Sequence, residues 1–457
     1  MGNNATVGDI VDLEIHGLGH SGEGVGRYQK LAVFVPGALI GERVRVRINQ
    51  VKKSFARGQL VEILKQTTAR IVPNCESYQV CGGCQLQHLD YQEQLTYKRS
   101  VVESALFKIG GLKGVEVLPT LGMRNPWHYR NKIHLQVKEA KGRIKLGFYA
   151  EGSYELAAGL AGQSCLLVQK EINQVIAILE ELINSYKLTP YHWGEKRGLL
   201  RHVMIRQGFH SGQCMVVLVT SPEEWQAENA FSRALVARQP KIVSVIRNIN
   251  RNPGRIVLGE ENRVMYGKEY IVDELNGLNF NISANSFYQV NTLQTEELYQ
   301  KAKEFAQLQG HERVIDAYCG IGTIALYLAR STVEVVGMEI VPPAVADAKE
   351  NARLNGITNT KFFQGAVEKL LPRMAKDLKP DVVVLDPPRK GCEKEVLTAI
   401  SESKVPRIVY VSCDPATLAR DLGVLDKLGY QTLQVQPVDM FPWTYHVECV
   451  VLMSSNI

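Results

Sequence analysis

No stretch of roughly 18 apolar residues occurs in the 457-residue chain, so no transmembrane helix is expected. The opening residues, MGNNATVGDI, lack the basic start and apolar core of a secretory signal. The expectation is therefore a cytoplasmic chain whose nine cysteines do not form a disulfide framework. Gly2 followed by Thr6 fits an acylation pattern formally, a coincidence given the strand-like sequence that begins at once. Internal repeats and low-complexity tracts are missing. With 45% hydrophobic and 22% charged residues, a disordered or collagen-like chain is excluded. Charge of one sign is scarce as well: 53 Lys+Arg oppose 47 Asp+Glu. Of the net +6, residues 1–70 hold +4, with ten Lys+Arg against six Asp+Glu. A small basic unit on a near-neutral body suits a polyanion partner.

That basic unit reads as a small β-barrel. VDLEIHGLG, GVGRYQ, LAVFVPGAL, ERVRVRINQ and ARGQLVEIL are short strands separated by glycine-rich breaks. Val44, Val46 and Ile48 alternate with Arg43, Arg45 and Arg47, which places the apolar residues inside and the arginines on an outer face. A closed barrel with a basic face is a common nucleic-acid binder.

Residues 70–90 are irregular and cysteine-rich, and YQEQLTYKRSVVESALFKIG at 91–110 has a helical pattern. Strands and helices mix from 126 to 280. HYRNKIHLQV and RIKLGFY flank a Lys-Gly-Arg turn, and LLRHVMIRQG and GQCMVVLVTS form a hairpin pattern. Between them a helix carries Ile172, Val175, Ile176, Leu179, Leu182 and Ile183 on one stripe. From about 283 the apolar strands VEVVGMEI, DVVVLD and RIVYVSC alternate with helices, the pattern of a doubly wound α/β domain with a parallel sheet. Its ligands belong at the C-terminal ends of the strands.

Those strand ends carry the chemistry. RVIDAYCGIGTIALYLA is a strand, a turn with Gly320 and Gly322, and a helix. The next strand ends in Glu339, where a carboxylate can hold ribose hydroxyls. The turn also fits a dinucleotide fingerprint, so NAD stays open; the acidic Asp316 at its start favours S-adenosylmethionine. Asp386 ends another strand before Pro387-Pro388, which fix an extended turn; Arg389 and Lys390 follow. Cys413 ends a third strand beside a helix N-terminus, where a thiolate is favoured and a nucleophile is expected. His446 and Glu448 are two apart on a final strand and share a face, and burial suits Glu448 to act as a base. Cys75, Cys81 and Cys84, with Cys165 downstream, suit zinc or an iron–sulfur cluster, and their spacing alone leaves both open.

Together, DAYCGIGT, DPPRKG, SCDPATLARDL and FPWTYHVE resemble the RNA 5-methyluridine methyltransferase family, over essentially the whole chain. The barrel resembles its TRAM domain, and the cysteine set resembles the 4Fe-4S ligands of its rRNA branch. The resemblance implies three parts: a TRAM β-barrel at 1–68, a central α+β iron–sulfur domain at 69–280, and a methyltransferase domain at 281–457. It also implies that 91–125 packs on the last of these. It implies methyl transfer from S-adenosyl-L-methionine to uridine C5 in 23S rRNA, with Cys413 as nucleophile and Glu448 as base. By the same resemblance Gln289, Tyr318, Glu339, Asp386, Gly320 and Gly322 surround the cofactor, and Cys75, Cys81, Cys84 and Cys165 hold the cluster. Phe287, Tyr288, Arg130 and Lys132 are candidate RNA contacts, with a core role open for one of the aromatics. Cys214, Cys319, Cys392 and Cys449 read as ordinary thiols. No membrane and no protein partner is implied. A tRNA uridine is the alternative substrate; an NAD-dependent oxidoreductase and a non-catalytic RNA-binding iron–sulfur protein are the alternatives from other classes.

Overall fold

A computed structural model describes residues 5–150, 152–157, 164–252, 254 and 256–456. Gly2 lies outside them; Thr6 donates its hydroxyl to Asp9 at 2.6 Å. No described helix is long and apolar enough to cross a membrane.

The N-terminal strands β1 (Ile10–Leu18), β2 (Gly24–Tyr28), β3 (Leu31–Val35), β4 (Arg43–Val51) and β5 (Phe55–Lys65) close into a barrel in the order β1-β2-β3-β5-β4. Period-two alternation decides the faces: Val44, Val46 and Ile48 are fully buried with Leu13, Val33 and Val35. The arginines point outward, but the expected basic face is partly neutralised. Arg45 bridges Asp12 and Glu62, each at 3.0 Å, and Arg43 also approaches Asp12.

The cysteine-rich segment leads into α1 (Tyr91–Lys108), whose N-cap Asp90 accepts from the Gln92 N–H. A two-residue strand β6 (Glu116–Val117) follows. The central unit holds β7 (Lys132–Ala140), β8 (Arg143–Gly147), α2 (Lys170–Ser185), β9 (Leu200–Gln207), β10 (Cys214–Thr220), α3 (Glu228–Arg238), β11 (Ile242–Ile249) and β12 (Glu261–Gly267). Its sheet runs β12-β11-β10-β9-β7-β8. All six residues of the α2 stripe are buried against it. The hairpin β13 (Tyr270–Leu275) and β14 (Leu278–Ser283) turns through Asn276-Gly277, both at positive φ. Ile271 and Phe280 of this hairpin share one core with Val217 and Val219 of β10 and Leu298 beyond it.

After α4 (Thr292–Ala306) the chain alternates: β15 (Arg313–Ala317), α5 (Thr323–Ala329), β16 (Glu334–Glu339), α6 (Pro342–Leu354), β17 (Thr360–Gln364), α7 (Val367–Leu378), β18 (Val382–Leu385), α8 (Lys394–Glu402), β19 (Arg407–Ser412) and α9 (Pro415–Lys427). Strands β20 (Tyr430–Val438) and β21 (Glu448–Ser455) complete it. The sheet order is β17-β16-β15-β18-β19-β21-β20-β6. It is parallel from β17 to β19, but β21 inserts antiparallel between β19 and β20, a departure from the expected all-parallel sheet. The chain winds one way from β15 to β17 and the other way through β18 and β19, so a crevice opens at their C-terminal ends. Strand β6 pairs with β20, and Val102, Ala105 and Leu106 of α1 enter the same core.

The loop between β20 and β21 is a hub. Lys98 of α1 and Asp439 are both fully buried and 2.5 Å apart; Tyr91 donates to Asp439, and Lys98 to the Phe441 carbonyl. Trp443 has φ of 69°, and its carbonyl accepts from the N–H groups of Gln85 and Leu86 beside Cys84. Its ring stacks on Trp127 at 4.2 Å. Lys98→Met leaves the Asp439 carboxylate buried without its cation, so we expect a loss of about 3–5 kcal/mol, read as a lowered denaturant midpoint. A midpoint equal to the parent's shows that the pair carries no stability.

Candidate active site

The turn after β15 passes through Tyr318, Gly320 and Gly322, at φ of 69°, 54° and 84°. A Cβ on Gly322 would lie 3.2 Å from the Phe362 ring, whereas one on Gly320 would meet no protein atom within 4 Å. The second glycine is therefore needed for packing, and the first borders open space. Glu339 ends β16 and fixes the turn: its carboxylate accepts from Gly320 N–H at 3.1 Å and from Val341 N–H at 2.7 Å.

Gln289, Asp316, Tyr318, Gly320, Thr323 and Asp386 border one narrow cleft. Asp316 is fully buried, and neither carboxylate oxygen has a hydrogen-bond partner of ordinary geometry. Burial, then the neighbouring Asp386, holds its carboxyl well above the usual range. Burial pushes Asp386 up to about 7. Glu448, the first residue of β21, is pushed to about 8 by burial and then by Asp386, with Arg389 opposing. Cys413, just past β19, is interlocked with these acids. Burial, then Glu448 and Asp386, raises its thiol to about 11 against the pull of Arg389. The expected favoured thiolate is thus corrected. Asp414 caps α9 by accepting from the Ala416 and Thr417 N–H groups, and its own charge raises the thiol further.

One other reading changes, and one open choice is resolved. His446 does not share a strand with Glu448; it lies in the loop before β21, with Val447 buried between them. Of the two aromatics before Gln289, Phe287 is 66% exposed and Tyr288 is buried. Sequence reasoning missed Thr323 and Tyr299, whose hydroxyls bond at 2.7 Å beside the cleft. Tyr299 reads as part of the apolar stripe of α4, and only the three-dimensional approach to Asp386 and Asp316 distinguishes it.

Cys75, Cys81, Cys84 and Cys165 line a separate cavity of about 620 Å³, together with Arg130 and Lys132. All four are free thiols. Burial raises Cys84 to about 12, and Cys165, Cys81 and Cys75 each add to the rise. Burial, then Arg206 and Arg130, draws Lys132 down to about 7. Among the described residues, no group of three or more His, Cys, Asp or Glu side chains is arranged to hold a single metal ion.

Residues 222–456 match the family described as tRNA (Uracil-5-)-methyltransferase, and residues 4–61 match the TRAM domain. A protein of Clostridium tetani named an uncharacterized RNA methyltransferase is 46% identical over 97% of this chain and 96% of its own. One of Halalkalibacterium halodurans, similarly named, is 44% identical over 97% of each chain. Among solved structures, the Pyrococcus abyssi tRNA (uracil-54, C5)-methyltransferase in complex with S-adenosyl-L-homocysteine is similar with a TM-score of 0.77 and 28% identity. The likeness covers 97% of this chain and 99% of that one.

The acid cluster sets a pH signature. Ionised Glu448 opposes the Cys413 thiolate, so Glu448→Gln lowers the thiol pKa and speeds alkylation of Cys413. We expect the gain above pH 8, where wild-type Glu448 is ionised, and little difference near pH 6. Iodoacetamide labelling followed by peptide mass spectrometry reads it, and equal rates at pH 9 disprove the coupling.

Proposed function

Since the chain belongs to the tRNA (uracil-5-)-methyltransferase family of RNA-modifying enzymes, we propose that it methylates uridine C5 in 23S rRNA through a covalent bond from Cys413 to C6. The observation that carries the reading is the crowding of Asp316, Asp386 and Glu448 with Cys413 at neighbouring strand ends. Carboxyl groups crowded together and held at raised pKa, by burial first, favour a cationic ligand. S-adenosylmethionine carries such a charge and, when bound, supplies an electrophilic methyl group. NAD would bring two anionic phosphates, and the Gly320 N–H that would greet them is already taken by Glu339. Glu339, Gly320, Tyr318, Gln289 and Asp386 are the residues that would hold the methyl donor.

The remaining chemistry belongs to the chain. Uracil C5 is a poor nucleophile. The Cys413 sulfur, once deprotonated, forms a bond to C6, and the electron pair of the C5–C6 double bond moves toward C5 and O4. C5 then bonds the methyl carbon as that carbon's bond to the sulfonium sulfur breaks, its electron pair staying on sulfur as a neutral thioether. Glu448 takes the C5 proton, the double bond re-forms, and the Cys413–C6 bond breaks to return the thiolate. In the free cleft Cys413 is a thiol, and positive charge beside Asp386 and Glu448 lowers it toward the reactive form. A stacked uridine must be extruded to reach it, at about a few kcal/mol.

The four cysteines fit an iron–sulfur cluster better than a lone ion. A single zinc draws its sulfurs to about 2.3 Å, whereas a 4Fe-4S cluster takes one thiolate per iron and spreads them around a larger cage. Cys75, Cys81, Cys84 and Cys165 share a roomy cavity with cations on its wall, which suits an anionic cluster. Its proposed role is to hold the segment that the Trp443 carbonyl grips. Cys81→Ser is expected to lose iron and visible absorbance; normal iron content and unchanged stability would remove the cluster from the proposal.

One observation favours tRNA instead: the Pyrococcus abyssi enzyme acts on tRNA and matches this chain over nearly its full length. Labelled S-adenosylmethionine, offered in parallel with unmodified 23S rRNA and unmodified tRNA, decides between them. The expected product is 5-methyluridine in rRNA; label in tRNA alone keeps the chemistry and changes the substrate. Cys413→Ala should abolish transfer while retaining donor binding. Glu448→Gln should accumulate a covalent RNA–protein adduct, and normal turnover by that variant would take the base role from Glu448.

A further inference from the structure

Three rings lead from the barrel toward the catalytic strand ends. His20, exposed in the loop after β1, has its ring centroid 6.2 Å from that of Tyr445. Tyr445 lies 4.3 Å from His446, which has the edge of Phe441 on another side at 5.9 Å. The row is firmly seated. Gly22 has φ of 82°, and a Cβ there would stand 2.8 Å from Leu86 and 3.8 Å from the Tyr445 Cβ. Tyr97 donates its hydroxyl to the Gly19 carbonyl at 2.7 Å, closing the joint from α1. Tyr445 itself is half-buried, belongs to none of the apolar cores, and its hydroxyl makes no hydrogen bond among the described residues. Among the described residues its other neighbours are Gly22 of the barrel loop and Tyr97 of α1.

Its position supplies the partner. Arg389, Lys98 and Arg130 all act on His446, with Asp414 opposing. His446 stands two residues before Glu448 at the start of β21, so the row ends beside the reacting groups. Its other end is the loop of the barrel. Aromatic faces interleaved with cations between a basic module and a reactive thiol suit an unstacked nucleobase. A uridine drawn out of its strand strips one face of each neighbouring base, and an aromatic ring covers that face at little entropic cost.

We propose that Tyr445, supported by His20 and His446, is the stacking step for the base adjacent to the uridine that enters the Cys413 cleft. The proposal rests on the uridine reading above. Its test uses the full chain and an RNA fragment spanning the uridine mapped by the methylation assay. The nucleotide on the 5′ or the 3′ side of that uridine is either intact or abasic. Stacking on one aromatic is worth roughly a 5- to 100-fold effect. For one of the two sides, the abasic fragment should raise the wild-type KM by that factor. Tyr445→Ala should raise KM equally on intact RNA, leave kcat and S-adenosylmethionine affinity near the parent's, and show no further loss on the abasic fragment. Tyr445→Phe, which keeps the face, should behave as the parent. If Tyr445→Ala melts early, Tyr445→Leu fills the joint without a π-face and should show the same KM defect. A KM within twofold of wild type, or an undiminished abasic penalty in the variant, overturns the stacking step alone. Failure of the unsubstituted enzyme to methylate any uridine overturns the functional reading and the step with it.

Discussion

The buried ion pair of Lys98 and Asp439 is the joint on which the molecule turns. Two charges in a dry interior are expensive unless each is fully satisfied, and here Tyr91 and the Phe441 carbonyl complete the set. The consequence is positional as well as energetic. Asp439 opens the loop that leads to Glu448, so fixing it to α1 fixes the carboxylate proposed as the base. The same loop carries Trp443, whose carbonyl binds Gln85 and Leu86, and Tyr445, which faces the barrel. One nine-residue connection therefore touches the cysteine segment, helix α1, the barrel and the cleft. A displacement of any of them reaches Glu448 through backbone hydrogen bonds and a charge pair, without a flexible linker to absorb it.

The same packing buries the acids of the cleft. Burial above all raises Asp316, Asp386 and Glu448, and the Asp386 charge adds to the rise of the other two. A resting site built this way keeps Cys413 protonated and shielded from adventitious electrophiles. It also makes the thiol sensitive to the arrival of positive charge. On the proposed mechanism, donor binding and activation of Cys413 are one electrostatic event: a cation seated beside the acids offsets the Glu448 and Asp386 charges that oppose the thiolate, while burial still raises it.

Local chemistry was readable from the sequence where a pattern has a short period. The barrel valines, the α2 stripe and the strand–glycine–helix turn each depend on neighbours within a few residues, and the structure places them as their spacing implies. The residues that line the cleft were also legible, because Gln289, Tyr318, Gly320 and Asp386 follow strand or helix ends that the sheet order gathers. What escaped depends on distance along the chain. Lys98 looks like a solvated residue of an amphipathic helix, and its partner is 341 positions away. The antiparallel insertion of β21 is invisible in a run of apolar residues that suits either direction. The thiolate expectation rests on a helix N-terminus, and burial, then Glu448 and Asp386, outweigh it.

The barrel shows the same lesson in its charges. Counting arginines gives a strongly basic outer face, yet Arg45 and Arg43 are committed to Asp12, and Arg45 to Glu62 as well. RNA phosphates must compete with those carboxylates, so these two arginines contribute less to binding than free cations would. Arg47 and Lys65 make no ion pair among the described residues and remain available. Arg27, Lys30, Lys52 and Lys53 are likewise exposed and make no ion pair among the described residues, so the barrel keeps free cations, and its contacts with Tyr97, Leu86 and Tyr445 fix where they stand. On the proposed function, an anchor held at a fixed distance from the cleft selects RNA by geometry: a uridine that leaves its stack at that distance from the barrel-bound segment is the one that meets Cys413.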